Sequence, residues 1–420
     1  MRVLVVGSGA REHALTWTLS RSAGADEVFV APGNPGMGGV AQCVPIAADA
    51  IVELAEFAAS LHIDLTVVGP ELPLVLGIAD EFERRGLALV GPSRAAAELE
   101  GSKAFAKEFC QRHRVPTAAA RVVHDRSGAA AAVKELGIPV VLKADGLAAG
   151  KGVLVCSTRD EVERAMVLLF DERTFGAASD KVVVEECLVG HEVSFMVLTD
   201  GSSVVPLPSA RDYKRLGDAD TGPNTGGMGS VSPASLPPEL AAAVLRDIIH
   251  PTLVGMAEEG RAYRGVLYAG LMITEAGPRL LEFNCRLGDP ETQVVLPRLE
   301  DDFLPLLAAT TRGELAGMRA TWRHEAAVCV VLAAAGYPGA PRKGDAISGI
   351  SDALAQPGVL VFHAATASVD GTLVTAGGRV LSVVGRGASV ADASAAAYRG
   401  VAAIDFAGRQ LRSDIGREPA

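Results

Sequence analysis

Leu281-Glu282-Phe283-Asn284-Cys285-Arg286-Leu287-Gly288-Asp289-Pro290-Glu291 is the stretch on which the fold turns. Side chains alternate across a strand, so Glu282, Asn284 and Arg286 share one face while Leu281 and Phe283 point the other way, toward a core. Acid, amide and guanidinium on one strand face are unusually polar for a structural strand; a hydrated edge strand is the plain alternative. Carboxylate and amide oxygens suit Mg²⁺, which substrate phosphates commonly complete. An arginine beside them suits a phosphoryl group in transfer. Asp289 and Pro290 read as the N-cap and first position of a helix. Upstream, runs near Tyr268–Thr274 and Leu280–Asn284 flank Glu275-Ala276-Gly277-Pro278, which makes them a hairpin.

Moving toward the N-terminus, Lys143-Ala144-Asp145-Gly146-Leu147-Ala148-Ala149-Gly150-Lys151-Gly152 joins two apolar strands. It is not a Walker A loop: its glycine spacing is too short, Gly152 stands where a Ser or Thr would meet magnesium, and a strand follows it. A glycine-rich flap over nucleotide phosphates with Lys143 beneath is one reading. A surface hairpin with solvated lysines is the other. Val182-Val183-Val184-Glu185-Glu186-Cys187-Leu188 is a strand running into acids, an edge able to read adenine, with Glu192 six residues beyond Glu186 for a ribose; taken alone this signal is weak. Arg211 to Ser230 has no apolar periodicity and reads as a long irregular loop, either a mobile lid over charged substrates or plain disorder.

The first hundred residues alternate strands (Val3–Val6, Val28–Ala31, Leu65–Val68, Leu87–Val90) with helices (Glu12–Ser20, Ile51–Leu61, Leu74–Arg85). Continuous apolar strands in repeated β-α-β units mean a parallel sheet covered on both faces. The turns after the strands, at Gly7-Ser8-Gly9, Ala31-Pro32-Gly33-Asn34, Gly69-Pro70-Glu71 and Gly91-Pro92-Ser93, gather on the edge where such sheets bind ligands. Gly7-x-Gly9-x-x-Glu12 departs from a dinucleotide fingerprint at Glu12, and no acid ends the second strand. What remains is an anion site of backbone N–H groups beside Arg11, or a Rossmann-like turn without a ligand.

A helix from about Ser102 to Arg114 leads into a smaller α+β unit. A third unit carries the hairpin above and a helix around Pro238–Glu259. From about Glu325, β runs alternate with glycine turns and close with a helix near Val390–Ile404. The net charge of −11 and the scarcity of aromatics disfavour a nucleic-acid binder. The six cysteines show no C-x-x-C spacing and read as free thiols in a reducing cytoplasm. Met1–Gly7 does not read as a signal peptide, and no stretch reaches the roughly 18 apolar residues of a membrane span. Clustered histidines and a G-x-S-x-G elbow are lacking.

In this order and spacing the motifs resemble the ATP-grasp superfamily of carboxylate–amine ligases, and within it the phosphoribosylamine–glycine ligase family. The resemblance covers essentially the whole chain. It is carried by Val6 to Ala14, Ala31-Pro32-Gly33-Asn34, Val68-Gly69-Pro70-Glu71, Gly101-Ser102-Lys103, Lys143 to Gly152, Asp212-Tyr213-Lys214-Arg215, Thr221 to Gly229 and Glu282 to Gln293. The fold it implies is α/β and α+β multidomain: a Rossmann-like pre-ATP-grasp substrate domain over residues 1–100, an ATP-grasp domain of two α+β subdomains over 101–324 with the flap subdomain at about 117–190, and a small β-rich C-terminal domain over 325–420.

The activity implied is ligation of glycine to 5-phosphoribosylamine in de novo purine biosynthesis. ATP gives ADP and phosphate by way of glycyl phosphate, because a carboxylate resists amines until it is phosphorylated. The resemblance gives Lys103, Lys143, Gly146, Gly150, Lys151, Gly152, Glu185, Glu186, Leu188 and Glu192 to ATP. It gives Gly9, Arg11, Glu12, Asn34, Gly69, Pro70, Glu71, Asp212, Gly288 and Asp289 to the other substrates, and Glu282 and Asn284 to Mg²⁺ or Mn²⁺. Arg286, Lys143, Asp212 and Lys214 are the catalytic candidates. Small molecules are the only partners implied, with no nucleic acid or membrane, and the chain is expected in the cytoplasm as a monomer or weak homodimer. Three departures stand out. The strand before Glu-x-Asn, Gly270–Thr274, carries no metal-binding acid. Cys285 and Leu287 stand where Ala or Cys, and Phe, are usual. The first turn is Gly-Ser-Gly where Gly-Asn-Gly is common.

Overall fold

A computed structural model describes residues 1–147 and 152–417. The N-terminal strands form a wholly parallel sheet in the order Gln42–Cys43, Glu27–Pro32, Arg2–Gly7, Leu65–Val68, Leu89–Val90. Strand order reverses at Arg2–Gly7, which puts the crevice between the turns that begin at Gly7 and Gly69. Two elements differ from the sequence expectation. The helix expected over Leu74–Arg85 is two, Glu71–Leu76 and Ile78–Arg84, because Gly77 sits at φ 96° and ends the first with a left-handed residue. Gln42–Cys43 is too short and too polar to show in the hydrophobic pattern.

A four-stranded antiparallel sheet follows, ordered Ala120–Val123, Val182–Glu186, Val140–Ala144, Val153–Cys156. The helices Arg126–Leu136, capped by Asp125, and Arg159–Met166, opened by a Thr158–Glu161 capping box, pack on it. A second antiparallel sheet runs Val204–Pro206, His191–Thr199, Gly265–Thr274, Gly277–Asn284. Its last pair is the expected hairpin, but with a bulge: Glu282 lies opposite Gly270 and Leu280 opposite Leu271, which leaves Leu281 over. Leu280 and Phe283, rather than Leu281 and Phe283, therefore enter the core.

The largest difference lies in Arg211 to Ser230. This stretch is folded, not irregular. Arg215–Gly217 pairs with Thr221–Asn224, and Arg211–Asp212 pairs with Gly229–Ser232. The latter two strands extend the tail's antiparallel sheet, ordered Arg211–Asp212, Gly229–Ser232, Ala326–Ala333, Arg379–Gly387, Val359–His363. Glycine-rich polar strands of two to four residues leave no periodic signal; a fully buried partner strand, Ala326–Ala333, fixes them.

The largest apolar cluster spans several parts of the chain. Helix Ala10–Leu19, strand residues such as Val3 and Val5, helix Phe303–Arg312 and tail residues Cys329, Val331 and Phe362 share one apolar cluster. The helical run Pro238–Glu258 is, by length and composition, long and apolar enough to cross a bilayer, with mean hydropathy 1.3. It places Val244, Ile248, Ile249, Leu253 and Met256 in a second interior cluster, together with Leu4, Phe195 and Phe283.

Candidate functional site

The site begins where the N-terminal sheet reverses. Gly9 precedes helix Ala10–Leu19, and its N–H donates to Glu12 Oε2 at 2.6 Å. Glu12 Oε1 pairs with Arg11 Nε at 2.6 Å, and Arg11 Nη1 donates to the Leu287 carbonyl at 3.1 Å. Both side chains are buried. A Cβ on Gly69 would stand 2.0 Å from Glu12 Oε1, so Gly69 provides the room in which Glu12 lies. The chain's own carboxylate therefore fills part of the cradle that the sequence left to an external anion. Asn34 is similarly engaged: Nδ2 donates to the carbonyls of Ser8 (2.8 Å) and His363 (2.9 Å), and Oδ1 accepts the Gly36 N–H. It ties the tail to this turn. Pro70 precedes helix Glu71–Leu76, which brings Glu71 to 3.3 Å from Arg286 Nε.

Arg286 sits just past the polar strand. Its Nη2 donates to Glu100 Oε1 at 2.8 Å and to Asn284 Oδ1 at 3.1 Å. Glu100 also accepts the Cys285 N–H at 2.7 Å. The sequence reading missed Glu100, which ends a helix with nothing local to mark it. Burial pushes the Glu100 carboxyl up. Burial pushes on Glu71 as well, but Arg286 and Arg11 hold it below its ordinary value. Arg286 is thus held by carboxylates on both sides.

Asp289 does not cap a helix; the next one starts at Thr292. The Asp289 carboxylate instead pairs with Arg379 at 3.0 Å and accepts Gln293 Nε2 at 2.8 Å. Burial would raise Asp289, but Arg379 and Arg11 keep it low. Arg379 comes from the tail and carries no motif of its own. Gly288 leaves room for Glu291, since a Cβ there would lie 2.5 Å from Glu291 Oε2. Glu291, also missed, accepts from Tyr268 (2.6 Å) and Ser194 (2.9 Å).

Across from this edge lie the lysines. Lys103, at the start of helix Lys103–Arg112, donates to the Gly146 carbonyl at 2.7 Å, and burial lowers its ammonium. Lys143 reaches the Leu281 carbonyl at 3.3 Å, the group that the bulge leaves over. The flap's base is closed by Ala144 N–H to the Gly152 carbonyl at 2.8 Å. Gly150 and Lys151 lie outside the described residues. The base of the glycine hairpin therefore adjoins the strand that bears Glu282 and Asn284.

Glu185 is placed differently from the expected base-reading edge. Its carboxylate is buried and lies between Lys143 and Lys107, with Lys107 Nζ at 2.6 Å. Burial would raise this carboxyl, yet the two lysines hold it low. Glu186 Oε1 accepts the Ala119 N–H at 2.9 Å, and beyond it the Leu188 N–H has no partner among the described residues.

Lys214 links Glu192 (2.7 Å) and Glu282 (3.6 Å), and these acids keep its ammonium well above its ordinary range despite burial. Asp212 Oδ1 is buried and unpartnered among the described residues. Burial, and then Glu291, push Asp212 well above the carboxylate range. Burial would also raise Glu282, but Lys214, Lys143, Lys103 and Arg286 hold it ionised. Glu282 and Asn284 offer two hard oxygen donors on one edge, opposite Gly270 and Tyr268. Among the described residues no cluster of three or more His, Cys, Asp or Glu is placed to hold a metal. The donor set therefore fits a divalent cation that phosphate oxygens complete.

Comparison with known proteins matches the whole of this architecture. Residues 1–100 match the family model "Phosphoribosylglycinamide synthetase, N domain", residues 101–292 the ATP-grasp (A) domain and residues 327–418 the C domain of the same synthetase. A phosphoribosylamine–glycine ligase of Mesorhizobium japonicum is 50% identical over 417 residues, covering 99% of this chain and 98% of that protein. The crystal structure of phosphoribosylamine–glycine ligase from Thermotoga maritima superposes with a TM-score of 0.85 at 37% identity, over 99% of this chain and 100% of that one. N5-carboxyaminoimidazole ribonucleotide synthetase from the same organism shares the fold, with a TM-score of 0.64 at 18% identity over 96% of this chain and 99% of that one.

Proposed function

The chain belongs to the phosphoribosylglycinamide synthetase family, and on that premise we propose the chemistry of its site. It is an ADP-forming carbon–nitrogen ligase: it joins glycine to 5-phosphoribosylamine with ATP, giving glycinamide ribonucleotide, ADP and phosphate in purine biosynthesis. The observation that carries this is the convergence of three polar sets on one strand edge. These are Lys103 and Lys143 at the flap, Glu282, Asn284 and Arg286 on the hairpin edge, and the Gly9–Glu12 and Glu71 turns, joined to that edge through Arg11–Leu287 and Glu71–Arg286.

ATP lies with its base at the Glu186–Leu188 edge, its ribose by Glu192 and its phosphates by Gly146 and Gly152, against Lys103 and Lys143. Mg²⁺ or Mn²⁺, when bound at Glu282 and Asn284, supplies Lewis-acid neutralisation of the phosphates. Glycine carboxylate attacks the γ-phosphorus; Lys143 and Arg286 carry the charge that develops on the phosphoryl oxygens. Asp212 and Lys214 flank the glycine. Phosphoribosylamine occupies the turns of Gly9, Arg11, Glu12, Asn34, Gly69, Pro70 and Glu71, next to Gly288 and Asp289. Its amine displaces phosphate from glycyl phosphate, and closure of the flap keeps water from that mixed anhydride. In Asn34, Gly69 and Glu185 the polar atoms or the space are already used by the chain, so these three shape the site from behind its surface. The domains run 1–100, 101–324 and 325–420, the protein acts as a monomer or weak homodimer, and its six free cysteines suit the cytoplasm. The test is ADP release against a panel of carboxylates: release should require glycine, and stoichiometric product should require phosphoribosylamine. Release driven equally by formate or bicarbonate would overturn the substrate assignment.

A further inference from the structure

Lys107 stands outside every role assigned above. It lies one turn beyond Lys103 on helix Lys103–Arg112 and is 5% exposed. Its Nζ meets Glu185 Oε2 at 2.6 Å and donates to Thr117 Oγ1 at 2.6 Å. Thr117 in turn donates to the Leu280 carbonyl at 2.7 Å, on the strand that bears Glu282 and Asn284. The second Glu185 oxygen holds Lys143, whose Nζ reaches the Leu281 carbonyl. One connected network thus runs from the helix, through the base of the flap, to the hairpin edge.

The charges in this network do not cancel. Two ammonium groups share one carboxylate out of contact with water, and Thr117 and Leu281 contribute dipoles rather than a counter-charge. A buried surplus charge is costly unless something neutralises it. The neighbouring Lys103 is a third ammonium, faced by Glu282, Asp145 and Glu100, and Glu282 is itself shared with Lys214. We propose that Lys107 is a positioning residue for the nucleotide phosphates: it holds Glu185 from behind, fixes Lys143 at the front, and leaves the trio with the positive charge that a phosphate neutralises. This rests on the nucleotide reading above.

Calorimetric titration of the full chain with ADP and Mg²⁺ tests it. In Lys107→Met the trio becomes neutral, and the Kd for ADP should rise about tenfold or more, as expected for loss of one charge from a site of reduced dielectric. In the double variant Lys107→Met/Glu185→Gln, Lys143 again stands alone with its charge, and the Kd should return to within about threefold of wild type. Lys107→Gln, which keeps a partner for Thr117, should weaken ADP as Lys107→Met does. Stoichiometry near one in each titration establishes that the variant is folded. ADP binding by Lys107→Met equal to wild type, or a double variant as weak as the single one, overturns the proposal and leaves Lys107 structural. Failure of the wild-type chain to bind ADP overturns the nucleotide reading along with it.

Discussion

Replacing Gly69 by alanine puts a methyl group where Glu12 already is. The new Cβ would stand 2.0 Å from Glu12 Oε1 and 2.4 Å from its Cγ. Glu12 has nowhere simple to go: it is 2% exposed, and Gly9 N–H and Arg11 grip its two oxygens at 2.6 Å each. Relief means surrendering at least one charge-assisted hydrogen bond, about 1.5–3 kcal/mol, on top of about 1–3 kcal/mol for overpacking. Gly69→Ala should therefore cost about 3–5 kcal/mol, and at roughly 1 °C per kcal/mol for a chain of this length the melting temperature should fall by about 3–6 °C. Scanning calorimetry of Gly69→Ala, Glu12→Ala and the pair together forms the cycle. With Glu12 shortened the collision is gone, and the alanine at 69 should then add less than about 0.5 kcal/mol. An equal loss from Gly69→Ala in both backgrounds would refute the claim that this glycine exists to accommodate Glu12. KM for phosphoribosylamine should rise in the single variant, because the turn that holds it must shift.

Two more expectations concern the acids and the histidines. Glu282→Gln keeps shape but removes the charge facing Lys214, Lys143 and Lys103; glycine-dependent ADP release should fall by about 100-fold or more, and a rate near wild type would displace the metal from this edge. His13 and His363 are buried against each other, with the His363 N–H donating to His13 Nδ1 at 2.8 Å. Burial lowers His13 to about 3 and His363 to about 4. In the unfolded chain both would protonate near pH 6.5, so the unfolded state binds more protons in between, and stability should fall as pH drops from about 6.5 toward 4, by about 1.4 kcal/mol per unit per histidine. Melting temperatures measured across that range should show the decline, and a His13→Gln variant should flatten it; an unchanged slope in the variant would remove this pair from the acid response.

The parallel sheet and the hairpin were legible because apolar strands between glycine turns write their pattern directly. Lys143, Glu282 and Asn284 stood out for a related reason, since polar side chains interrupt otherwise apolar strands; Lys103 came only from the family resemblance. Glu100, Glu291, Lys107 and Arg379 were not legible. Each meets its partner across a long sequence gap, as Arg379 does with Asp289 and Glu100 with Arg286, and no local periodicity marks it. The bulge that swaps Leu281 for Leu280 in the core is likewise a product of pairing, since strand alternation alone predicts the opposite. Arg211 to Ser230 read as irregular because its order comes from a strand in the tail.

That shared sheet has a bearing on synthesis at the ribosome. Gly229–Ser232 registers with Ala327–Val330, so its partner leaves the exit tunnel roughly a hundred residues later. Until then the strand that pairs with Arg211–Asp212 has only one of its two neighbours, and the segment proposed to flank glycine is held by half of its final sheet. If the proposed roles of Asp212 and Lys214 hold, a chain ending before Ala326 should be inert however well its first three hundred residues have folded.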